Sequence, residues 1–98
     1  MPIRSISRWE FETILRWRRI LEHYTGYHVE WFSDDSQRLL GVLYEGPGDS
    51  DWSHVVLERD GRGTFQVRAQ KIGVASQDLA RSHLLQTMGA SEKERERN

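Results

Sequence analysis

Four histidines, His23, His28, His54 and His83, are the first residues to weigh for chemistry. An imidazole acts as a general base or a metal ligand when a second ligand or a nucleophile stands at usable spacing, such as another His one helical turn away. No pair among the four has that spacing. His23 falls at the end of a helical stretch, where a cationic side chain suits the helix dipole. His83 falls on an apolar helix face and reads as a hydrogen-bonded core residue. Asp34, Asp35, Asp49 and Asp51 could serve a hard cation, which wants several oxygens converging from a fixed loop. Asp49-Ser50-Asp51 lacks the spaced third ligand, the turn glycine and the distal Glu of an EF-hand, so it reads as a hairpin loop. No Gly-x-Ser-x-Gly elbow is present, and Gly46-Pro47-Gly48 and Gly61-Arg62-Gly63 read as turns, not phosphate loops. The sequence assigns no catalytic, cofactor-binding or metal-binding residue.

Nucleic acid is the remaining chemistry to weigh. Arg4, Arg8, Arg16, Arg18 and Arg19 cluster early, with Trp9 and Trp17 between them. Arginines neutralise phosphates and aromatic rings stack on bases. Arg4, Arg8, Arg16 and Arg19 are the contacts this reading would use. Against it stand an isoelectric point near 6.4, dilution by Glu10, Glu12 and Glu22, and the expected burial of both tryptophans.

The elements that position these residues follow from periodicity. A helix is expected over Ser7–Tyr24, with Ser5 or Ser7 as N-cap and Gly26 as stop. At 3.6 residues per turn, Trp9, Thr13, Ile14, Trp17, Ile20, Leu21 and Tyr24 share one face, which should dock on the core. Phe11 and Leu15 stand off it as an i,i+4 pair and are expected to face solvent. Four strands follow at Tyr27–Ser33, Arg38–Glu45, Trp52–Arg59 and Thr64–Gln70. Turn clusters at Asp34-Asp35-Ser36, Gly46–Asp51 and Asp60–Gly63 separate them. A second helix is expected over Gln77–Met88, capped by Ser76 and stopped by Gly89. Residues 91–98 read as a charged tail after a single domain over 1–90.

Composition bounds the rest. The 98 residues fit one domain, which at this size buries about 60–70% of its unfolded surface. Only 37% of residues are hydrophobic and 30% are charged, yet four Trp, three Tyr and three Phe supply large buried areas. The absence of cysteine excludes disulfides, thiolate zinc sites and a Cys nucleophile. With no staple for a small secreted domain and no apolar core of a leader in Met1–Trp17, the cytoplasm is expected. No apolar run is long enough to span a bilayer.

The net charge of −1 hides blocks. Five arginines face two acids in residues 1–20, nine acids face two bases in 21–60, and seven bases face four acids in 61–98. In a compact fold such blocks face one another.

The expectation is therefore an α+β domain: helix, four-stranded antiparallel meander, helix. The strands at Leu39–Tyr44 and Trp52–Leu57 should be central, with the first and fourth at the edges. One helix cannot cover both sheet faces, so the second helix or a partner must cover the rest. The expected role is an interaction or accessory domain, homodimeric or bound to another protein, with Phe11, Leu15, Tyr44, Trp52 and Val56 as contacts. Weak nucleic-acid binding through the Arg-rich helix is the alternative.

Overall fold

The computed structural model describes residues 3–16, 28–45 and 51–96. In chain order these form β1 (Arg4–Ile6), α1 (Arg8–Leu15), β2 (Val29–Ser33), β3 (Leu39–Glu45), β4 (Trp52–Arg59), β5 (Phe65–Val74) and α2 (Gln77–Glu96). The strands make one antiparallel sheet whose spatial order is their sequence order. The class is α+β, and the four-strand meander is present as β2 to β5. A fifth strand joins it. β1 pairs with β2, Arg4 opposite Ser33 and Ile6 opposite Trp31. Three residues are too few to show alternation, so sequence pattern does not mark them. Because β1 caps it, β2 is an inner strand and not the expected edge. β5 is an edge, as expected.

The turns form where short polar side chains can replace backbone partners. The Asp34 carboxylate accepts the N–H groups of Arg38 (2.9 Å) and Leu39 (3.1 Å) and the Ser36 hydroxyl (2.8 Å). Asp60 does the same for the N–H groups of Arg62 (2.8 Å) and Thr64 (3.0 Å), and Gly63 supplies a φ of +85°. These backbone bonds hold the Asp60 carboxyl below its usual range, Arg62 first. Both aspartates close hairpins.

Each helix takes one face of the sheet. Under α1 lie Phe11, Ile14 and Leu15 of the helix with Ile6, Trp31, Leu40, Val42, Val55, Leu57 and Phe65. Under α2 lie Ala80, Leu84 and Met88 with Phe32, Leu39, Leu43, Val56 and Val74. Gly41 lets α2 come this close, since a Cβ there would stand 2.7 Å from the Met88 sulfur.

Two expectations about the helices are corrected. The Ser7 hydroxyl caps α1 by accepting the Glu10 N–H (3.1 Å), but the helix ends at Leu15, with Arg16 left-handed at φ 61°. Trp17, Ile20, Leu21, His23, Tyr24 and Gly26 lie outside the described residues. Over eight residues the compact apolar stripe is Phe11, Ile14 and Leu15, spaced i, i+3, i+4. Those three are buried, while Trp9 is 72% exposed and Thr13 is exposed. Of the expected face, Ile14 is buried but Trp9 and Thr13 are not, and the Phe11–Leu15 pair expected in solvent lies in the core. That face was fitted to a helix running on to Tyr24. At the other end, Ser76 caps α2 as expected (Leu79 N–H to its hydroxyl, 3.1 Å). Gly89 does not stop α2, which continues to Glu96 with Ser91 buried. A mid-helix glycine costs about 1 kcal/mol, and the Ala, Glu, Lys and Arg that follow are good helix formers.

Candidate functional site

β4 alternates, so Trp52, His54 and Val56 point to the α2 side of the sheet. His54 stands opposite Leu43 on β3 and Lys71 on β5. α2 lies over β3 and β4, and its i,i+4 stripe of His83 and Thr87 overhangs the β5 side. On β5 the inward residue beside Val56 is Ala69, a side chain too small to fill the space beneath the helix. A cleft of about 300 Å3 results, lined by His54, Gln70, Lys71, His83, Gln86 and Thr87 around Ala69. It continues along α2 into a second space of about 550 Å3 beside Arg68, Ala90 and Ser91.

His54 is only 3% exposed, yet neither of its ring nitrogens has a hydrogen-bond partner among the described residues. Nδ1 of His83 is likewise buried and unpartnered, contrary to the expectation of a hydrogen-bonded core residue. The two imidazoles meet edge to face at 6.3 Å between centroids. Burial lowers the His54 pKa from its ordinary value, and the positive charges of His83 and Lys71 lower it further. The Thr87 hydroxyl is committed to the His83 carbonyl (2.8 Å). Among the described residues no group of three or more His, Cys, Asp or Glu converges as a metal site.

The residues expected to make contacts are not brought together. Phe11 and Leu15 are 0% and 5% exposed inside the α1 core, Phe11 lying 4.6 Å from the Trp31 ring. Tyr44 is half-buried on the same side. Trp52 is half-buried and Val56 fully buried, both under α2. The second helix therefore covers the patch around Val56 that required a cover. Of the arginines, Arg4 pairs with Glu10 (3.2 Å) and Arg8 with Glu12 (3.0 Å). Arg16 is exposed at the helix end and Arg19 lies outside the described residues.

The exposed large apolar side chains among the described residues are Trp9 on α1, Leu79 on α2 and two on β5. Val67 and Ile72 on β5 are 59% and 70% exposed. Val67 stands opposite Leu57, and Ile72 follows the inward Lys71, so both face away from α2 along the open edge. The sequence marks this strand as an edge but not the exposure of Val67 and Ile72 along it. Nor does it single out His54, although the parity of Trp52, His54 and Val56 turns the imidazole inward. No helix among the described residues is long and apolar enough to cross a membrane. A comparison with protein families finds no matching model, and comparisons with curated proteins and with solved structures likewise find no match.

Proposed function

We propose that this protein is a small interaction domain that self-associates as a homodimer and serves as an accessory factor, not an enzyme. The carrying observation is the β5 edge: a ten-residue strand at the sheet margin with Val67 and Ile72 exposed along it. Such an edge presents unpaired N–H and C=O groups that a second strand can satisfy. Arg68, Lys71 and the two register shifts along β4–β5 interrupt the edge. Those features oppose open-ended stacking and leave room for one closed pairing across a two-fold axis. Phe11, Leu15 and Val56 belong to the monomer's own core, so the interface anchors pass to Val67 and Ile72. Sedimentation equilibrium should return a dimer mass in the micromolar range, and V67K/I72K a monomer of unchanged stability. A monomeric wild-type protein would refute the reading.

A further inference from the structure

We infer that the cleft between β5 and α2 is a binding site for a small oxyanion, held by Lys71, His54 and His83. Three observations converge. The first is an unmet need: both nitrogens of a nearly fully buried His54 lack partners among the described residues, and the residue lines the cleft. A buried polar group without a partner is destabilising, and a ligand that bonds it recovers that loss.

The second is the character of the wall. Lys71 contributes an ammonium, Gln86 an amide and the imidazoles N–H groups, while no carboxylate lines the cleft. Every one of these side chains can donate to an oxygen. The third is charge. Protonation of His54 is opposed by burial and then by His83 and Lys71, which face it from α2 and β5. An anion among the three would reverse that repulsion and turn their bonds into charge-assisted ones. A metal ion fits worse, since it would find two imidazoles and a repelling ammonium.

The chemistry common to the candidates is a compact oxyanion, phosphate or carboxylate. Inorganic phosphate and, separately, acetate should be titrated into the full chain while the imidazole C–H resonances are followed by NMR. The expected result is a saturable shift of His54 and His83 at low-millimolar anion or below. His28, exposed beside Glu45, should stay still. Response to phosphate alone or to acetate alone supports the site and tells which oxyanion class it takes. Lys71→Met should weaken the response at least about tenfold, the worth of one charge-assisted bond. Lys71 is exposed, so this variant keeps the fold. No saturable shift with either anion, or equal affinity in Lys71→Met, would overturn the inference. The dimer measurement is independent of this one, since Val67 and Ile72 lie outside the cleft.

Discussion

At residue scale, α1 shows how little separates a core position from a surface one. Phe11 and Trp9 are two positions apart, and only Phe11 is enclosed, with no exposed surface and its ring against Trp31. Phe11→Ala removes a full aromatic side chain from a packed interior and should lower unfolding free energy by about 3–5 kcal/mol. Trp9→Ala, at a position mostly in water, should stay within about 0.5 kcal/mol. Urea denaturation of both variants measures the contrast, and the opposite order would mean that the buried stripe of α1 is wrongly assigned. Periodicity misplaces Trp9 because a helix carried on to Tyr24 puts it on one stripe with Trp17, Ile20 and Leu21. The deciding fact is where the helix stops, and an αL arginine carries no sequence signal of the kind a glycine does.

At element scale, α2 is held to the sheet by more than its apolar stripe. Glu30 on β2 receives the Arg81 guanidinium and the Gln77 amide (2.6 Å), and Arg81 also reaches Asp78 (3.0 Å). The Arg81 hydrogen bond lowers the Glu30 pKa, against an opposing contribution from burial. A carboxylate whose folded value is depressed gives its full stabilisation above its unfolded value and loses it as pH falls through the folded one. Glu30→Gln should therefore cost about 1 kcal/mol at neutral pH for this partly exposed pair. The gap to wild type should close in acid, below the ordinary carboxylate range. Denaturation at the two pH values reads it directly, and a gap that persists in acid would contradict the assignment. Elements with a local signature were legible in the sequence: the Ser7 and Ser76 caps, the Asp34 and Asp60 turns and the alternating strands. β1 was not, because its three residues owe their strand geometry to β2. The length of α2 was not, because one glycine is a weak stop amid strong helix formers.

At the scale of the whole molecule, the sheet separates functions that sequence order runs together. His54, Lys71 and His83 are far apart in the chain, and only the passage of α2 over β4 brings them to one cleft, so no spacing rule could announce it. The same assembly ties down two of the early arginines. Arg4 is tied to Glu10 across the β1–α1 junction and Arg8 to Glu12 along α1. On β4 and β5, Arg68 pairs with Glu58 at 3.1 Å, and Arg81 is committed to Glu30 and Asp78. A phosphate backbone would have to displace these carboxylates before each arginine could release a counterion, on a chain whose net charge is −1. Affinity for single-stranded nucleic acid falls with salt at a log–log slope near −0.7 per phosphate neutralised. With no more than about two phosphates engaged, the slope should be shallower than about −2. Fluorescence anisotropy of a labelled single strand and a labelled duplex, repeated across salt concentrations, measures it. Tight binding with a steep slope, abolished by R4A/R8A, would show instead that the glutamates yield to phosphate and that the Arg-rich face is a nucleic-acid footprint.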